Sequence, residues 1–246
     1  MKILAQTDIG LVRNNNQDAY RAGTFDTGDT WVVVCDGMGG VSGGQVASEI
    51  CVARVSEALK RGYRKKMTVS SAKNLLVSAI NAANAEVFKE SQENFELKGM
   101  GTTVVAALVM GSVAVIAHVG DSRAYILNEK EIVPVTKDHS FVQLLMDTGK
   151  ITEEQAKTHP DRNVITRAVG IEHVVDVDVD VEDLGTKDKL LICTDGLNGY
   201  VEDSDILKTV IEYGDSSAEK LVETANNNGG WDNVTVVILT ADVQGE

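Results

Sequence analysis

Two prolines, Pro134 and Pro160, are all that 246 residues contain, while hydrophobic residues make up 43% of the chain. That balance excludes a disordered polymer, because enough apolar surface is present to offset the entropy of ordering. Cysteine is nearly as scarce. Cys35, Cys51 and Cys193 form an odd-numbered set in apolar surroundings. They fit neither a disulfide framework nor a zinc site, and read as buried thiols in a reducing compartment. No apolar run is long enough to span a bilayer and no signal peptide opens the chain, so a cytoplasmic protein is expected. Positive charge is also in deficit. With 23 Lys and Arg against 37 Asp and Glu, the formal charge is −14. Nucleic acid and anionic membranes are polyanions and are excluded as main partners, whereas cations are not. No linker, low-complexity tract or internal repeat divides the chain, and residues 1–246 are expected to form one domain.

The most informative stretch runs from Trp31 to Gly40. Val32, Val33 and Val34 are β-branched and predict a buried strand, which closes on Asp36 and a glycine-rich bend beginning at Gly37. A lone carboxylate at the end of a buried strand needs a counter-charge, because its desolvation is costly. The circumstance recurs along the chain. Asp121 follows the apolar run Val113 to Val119, Asp195 closes Lys189 to Thr194, and Asp232 immediately precedes Asn233 to Thr240. Lys2 to Gln6 reads as a further strand, and Thr102 to Met110 pairs with 113–119 across Gly111-Ser112. A second hairpin joins 124–127 to 132–135. Helices are expected over 46–61, 71–90, 203–212 and 216–227. Residues 138–170 read as a flap, with short helices near 141–148 and 152–157 and a Thr152-x-x-Gln155 capping box. Val175 to Val181 alternates valine and aspartate, which predicts a strand with a solvated acidic face. A calcium loop there would need glycine at Val181 and glutamate at Lys187, and has neither.

If the strands lie side by side, four carboxylates converge at one rim of a sheet and repel one another unless cations sit between them. All-oxygen ligands without His or Cys select hard divalent ions such as Mg²⁺ or Mn²⁺. Two such ions can activate a water for attack on phosphorus, and Arg13 would supply a planar grip on phosphate oxygens. From spacing alone two readings stand: metal-assisted phosphoester hydrolysis, and four separate strand-end turns. Other glycine-rich explanations fail. Ser42 stands where a dinucleotide fingerprint has its third glycine, and no Gly-Lys-Ser/Thr follows for a nucleotide P-loop.

Taken in order, the motifs resemble those of the metal-dependent PPM, or type 2C, serine/threonine protein phosphatases in their compact bacterial form. They are Thr7-Asp8-Ile9-Gly10-x-x-Arg13, Asn16-Gln17-Asp18, Asp36-Gly37-Met38-Gly39-Gly40 and Gly101-Thr102-Thr103. Gly120-Asp121-Ser122-Arg123, Asp138-His139-Ser140, Thr194-Asp195-Gly196 and Asp232-Asn233-x-Thr235 complete the set, which covers essentially the whole chain.

The resemblance implies an α+β fold, a four-layer α-β-β-α sandwich of two antiparallel sheets flanked by helices, with a flap insertion near 140–170. It implies that Asp36 bridges two Mn or Mg ions, that the Gly37 carbonyl binds one, and that Asp195 and Asp232 complete the other site. Asp121 matches the ligand of a third, weaker ion, shared with Asp195. Asp18 matches the residue that orients the attacking water, and Arg13 the residue that grips the phosphate. The implied function is hydrolysis of phosphoserine and phosphothreonine on proteins by a monomer, opposing a serine/threonine kinase. A non-catalytic phosphoprotein-binding module and a small-phosphoester phosphatase are the alternatives on the same scaffold. Val41 and Gln45 depart from the residues usual at their positions, His and Glu, and this leaves the general acid open. Water at the ions is the first choice, His139 the second, and a loop-stabilising hydrogen bond is the competing reading for His139.

Overall fold

The computed structural model describes residues 1–40 and 42–240. Val41 and residues 241–246 lie outside the described residues, so the departure at Val41 has no structural account.

The chain opens with strands β1 (Lys2–Asp8), β2 (Asp18–Thr24) and β3 (Thr30–Met38), then helices α1 (Gly43–Gly62) and α2 (Val69–Glu93). Strands β4 (Gly101–Thr102), β5 (Val104–Met110), β6 (Val113–Val119), β7 (Arg123–Leu127) and β8 (Ile132–Pro134) follow. The flap carries α3 (Phe141–Asp147) and α4 (Glu153–Lys157). Strands β9 (Asp178–Asp183) and β10 (Lys189–Cys193), helices α5 (Asp195–Asn198), α6 (Asp203–Tyr213) and α7 (Ser217–Asn227), and strand β11 (Val234–Thr240) complete it.

Two antiparallel sheets result, in the orders β1-β11-β10-β7-β8 and β2-β3-β5-β6-β9, with β4 pairing β3. Alternation along each strand decides the layers, because successive side chains point to opposite faces. Val32 and Val34 of β3 meet Leu190, Ile192, Val237 and Leu239 of the other sheet in the middle layer. Val33 and Cys35 point the other way and pack under α1 and α2 with Cys51, Val55, Leu76 and Ile80. On the far side Leu191, Cys193, Val236 and Ile238 pack under Ile206, Val210, Leu221 and Val222 of α6 and α7. The expected four-layer sandwich is the observed one.

Several local differences have physical causes. β3 does not end at Asp36 but continues to Met38, because Gly37 and Met38 pair with Thr102 and Gly101. Thr103 interrupts what the sequence reads as one strand over 102–110: its N–H turns to the Asp36 carbonyl at 2.8 Å, and its hydroxyl accepts from the Asp36 N–H at 2.9 Å. β2 carries too few large apolar residues to be legible in the sequence, yet pairs with β3 over its whole length. The alternating acidic segment enters the sheet only at Asp178, and its face is not simply solvated: Arg167 and His139 bind Asp178. Asp195 does not close β10, which ends at Cys193, but opens a short helix with Thr194 as its N-cap residue. The capping box on α4 forms as expected.

Glycine is obligatory at Gly37. A Cβ there would lie 2.0 Å from the Gly44 carbonyl oxygen and 2.6 Å from that of Gln17. Gly37→Ala must push α1 away from β3 and is expected to cost about 3 kcal/mol or more, since neither backbone can yield cheaply. For a chain of this length that is a fall of roughly 6–12 °C in Tm, and a loss under about 2 °C by scanning calorimetry would refute the packing argument.

Candidate active site

β2 and β3 place Asp18 opposite Asp36 as direct cross-strand partners. The other sheet, stacked face to face on this one, reaches the pair through its side chains. Asp18 Oδ2 accepts hydrogen bonds from Thr194 Oγ1 at 2.9 Å and Thr235 Oγ1 at 2.7 Å, so one carboxylate oxygen ties β2 to the ends of β10 and β11. Asn233 stitches the remaining loops together. Its Oδ1 accepts from the Gln17 N–H at 2.8 Å, and its Nδ2 donates to the carbonyls of Ile9 at 2.9 Å and Asn15 at 3.0 Å. Beside it, Asp232 Oδ2 accepts from Arg13 Nη2 at 2.6 Å, and Asp232 Oδ1 from the Asn233 N–H at 2.9 Å. Close approach of α5 to this loop requires Gly196, where a Cβ would stand 1.9 Å from the Asn233 carbonyl oxygen.

The electrostatics register the crowding of acids. Burial, reinforced by the charges of Asp18, Asp195, Asp121 and Asp232, drives the Asp36 carboxyl well above the usual range. Asp18 is pushed up to about 7, chiefly by burial, although the two threonine hydroxyls pull the other way. Burial and the charges of Asp195 and Asp138 raise Asp121 to about 8. Asp195 rises to about 6 through burial and the charge of Asp232, partly offset by a hydrogen bond from Asp36 and the charge of Arg13. The fold thus brings Asp18, Asp36, Asp121, Asp195 and Asp232 within electrostatic reach of one another. Gly37 sits beside Asp36 with its N–H held by the Gln17 carbonyl at 3.1 Å.

Half-buried carboxylates that raise one another's pKa values are unstable as a set unless positive charge enters. Asp18 Oδ1 and Asp195 Oδ1 are fully buried without a hydrogen-bond partner. An all-oxygen donor set with orphaned acceptors fits a hard divalent cation.

A second cluster has ligand spacing without ligand chemistry. His118, His139 and Asp178 each place one potential ligand atom within 4.8 Å of the others, and no other such group occurs among the described residues. Yet His139 Nδ1 accepts from the Gly120 N–H at 3.0 Å, which leaves the ring proton on Nε2, the atom a metal would need. Arg167 Nη1 already lies 2.8 Å from Asp178 Oδ1. Both ring nitrogens of His139 make hydrogen bonds, Nδ1 to the Gly120 N–H and Nε2 to Asp178 of β9, as the hydrogen-bonding reading expects. The cysteines are all free and buried. Burial pushes the thiols of Cys35 and Cys193 far up, so little thiolate forms and oxidation beside the aspartates is disfavoured.

The sequence assigned no part to Asn233, Thr103, Thr194 or Thr235 beyond membership of the motifs. A threonine directly before Asp195 and another three residues after Asp232 was the available signal.

Two antiparallel sheets flanked by helices, with a carboxylate rim and one arginine at their common edge, form the scaffold of the metal-dependent serine/threonine phosphatases. The sequence profile described as Protein phosphatase 2C matches residues 12–228. The serine/threonine phosphatase stp of Listeria monocytogenes serotype 4b is 39% identical over 243 residues, covering 97% of this chain and 95% of that protein. The crystal structure of serine/threonine phosphatase Stp1 from Staphylococcus aureus superposes with a TM-score of 0.92 at 38% identity, over 98% of this chain and 95% of that one. The catalytic domain of the phosphatase PstP, solved in complex with two manganese ions, superposes with a TM-score of 0.83 at 34% identity over 96% of each chain. The chain belongs to the protein phosphatase 2C family.

Proposed function

We propose that this protein hydrolyses phosphoserine and phosphothreonine on proteins, with residues 1–246 acting as one phosphatase domain. The observation that carries the reading is the convergence of five aspartates beside Arg13, with two buried carboxylate oxygens left unpartnered. Asp36, the Gly37 carbonyl, Asp195 and Asp232 would hold a pair of Mn or Mg ions. Asp121, together with Asp195, would hold a third, weaker ion. When bound, these ions supply Lewis acidity, lowering the pKa of water and drawing charge from the phosphoryl oxygens. Asp18, locked by Thr194 and Thr235, orients the attacking water. Arg13 grips the phosphate; its side chain is 53% exposed and spends one Nη2 on Asp232, leaving further donors free for oxygen atoms. No nucleophilic side chain is required.

No helix among the described residues is long and apolar enough to cross a membrane. The proposed setting is the cytoplasm, where the protein acts as a monomer on phosphoproteins made by a serine/threonine kinase.

Phosphate release from a phosphothreonine peptide and from p-nitrophenyl phosphate, each with Mn²⁺ and with chelator, tests the proposal. Turnover of both, abolished by chelator, is expected. Turnover of the small ester alone would favour a small-phosphoester phosphatase. Chelator-resistant turnover, or none with any phosphoprotein while phosphopeptides still bind, would refute it.

Asp121→Ala is expected to keep the paired ions but lose turnover by about tenfold or more, the range seen when a residue supporting a metal site is removed. An unchanged kcat at saturating Mn²⁺ would count against the third site.

A further inference from the structure

One side chain joins the root of the flap to the loop that carries Asp121. His139 is 8% exposed. Its Nδ1 accepts from the Gly120 N–H at 3.0 Å, and its own N–H donates to the Gly120 carbonyl at 2.9 Å, a reciprocal pair one residue from Asp121. At the other end of the flap, the Thr166 N–H donates to the His139 carbonyl at 2.8 Å, and Phe141 donates to Val164 at 2.8 Å.

The ring is braced on every side. It stacks on His118 with centroids 4.7 Å apart and planes 13° from parallel, and His118 Nε2 donates to the Lys137 carbonyl at 2.9 Å. With Nδ1 accepting, the proton of a neutral His139 sits on Nε2, between Asp178 Oδ2 at 3.2 Å and Arg167 Nη1 at 3.0 Å, and of these two only the carboxylate can accept it. Arg167, two residues past the flap bridge Ser140↔Ile165, converges on the same Asp178 through its other oxygen. Burial lowers the His139 pKa, which keeps the Nδ1 lone pair available to Gly120 at neutral pH.

We propose that His139 is a positioning residue that locks the Gly120-Asp121 loop to both ends of the flap, so that neither moves alone. The coupling is a property of the fold; only its consequence for ion affinity rests on the phosphatase reading. His139→Leu keeps bulk but removes the acceptor, whereas His139→Asn keeps an acceptor for the Gly120 N–H. Amide hydrogen exchange on the chelated protein reads the coupling without any catalysis. His139→Leu is expected to speed exchange about tenfold in segments 118–123 and 163–168, the effect of losing one buried hydrogen bond, with β10 and β11 unchanged. The Mn²⁺ concentration for half-maximal turnover rises with it, and His139→Asn restores wild-type exchange over 118–123. Unchanged exchange in the Leu variant, loosening of only one of the two segments, or equal loosening by Leu and Asn overturns the proposal. Should His139→Leu fail to fold, Arg167→Gln, at a one-third exposed side chain, is expected to speed exchange over 163–168; wild-type exchange there overturns it equally. If the wild-type protein releases no phosphate, the functional reading fails and the exchange data still decide the coupling.

Discussion

Asp36→Asn is expected to abolish turnover while making the chelated protein melt at a higher temperature. Asp36 is the carboxylate that feels Asp18, Asp195, Asp121 and Asp232 at once. Asparagine keeps its size but removes the anionic oxygen that the two ions are proposed to share. The loss in kcat is expected to exceed about a thousandfold, or ~4 kcal/mol of barrier. Stability moves the other way. At pH 8 the metal-free wild-type protein must either bury a repelled charge or take up a proton against the solvent, and asparagine requires neither. Steady-state kinetics with Mn²⁺ and calorimetry in chelator measure the two effects. A variant retaining a tenth of wild-type turnover, or melting below wild type in chelator, would remove Asp36 from the centre of the site.

The second large effect is an inverted pH dependence. In chelator the protein is expected to be more stable at pH 5 than at pH 8. Unfolded aspartate titrates near ~3.9, whereas Asp195, Asp18 and Asp121 in the fold titrate near about 6, 7 and 8. Between these limits the folded state binds more protons than the unfolded state, so stability falls as pH rises. The contribution is complete below the unfolded value and lost by about pH 8. Most paired carboxylates behave in the opposite sense. Since one pKa unit corresponds to about 1.4 kcal/mol and the groups act on one another, the combined fall is on the order of several kcal/mol. That is about 10 °C or more in Tm between pH 5 and pH 8. Saturating Mn²⁺ is expected to reverse the slope. A flat or rising profile in chelator would mean that the acids do not crowd one another.

The helices and most strands were legible because their periods are clean. Leu76, Ile80, Ala83 and Val87 hold one face of α2, and Val32 to Val34 sit in a fully buried strand. What stayed hidden depends on partners far away in the chain. The extension of β3 past Asp36 needs Gly101 and Thr102, and β2 is a strand chiefly because β3 lies beside it. At the site, residue types marked the acids, since a carboxylate at the end of an apolar run is costly wherever it occurs. The parts played by Thr194, Thr235 and Asn233 were not legible, because a hydroxyl or amide carries no comparable cost and reveals its partner only in space. Asp178 misled for the same reason: an exposed alternating acid looks solvated until Arg167 is seen beside it.

The bonds from Thr194 and Thr235 to Asp18 cross between two sheets that share no strand. No backbone ladder therefore fixes the distance from Asp18 and Asp36 to Asp195 and Asp232. That distance is set by the thickness of the middle layer, by how Val32, Val34 and Val105 rest against Ile192, Val237 and Leu239. The protein measures its active-site spacing with hydrocarbon. A single methylene added or removed in that layer shifts one half of the acid cluster against the other, so sequence drift deep in the interior resets the spacing of the acids without altering any of them.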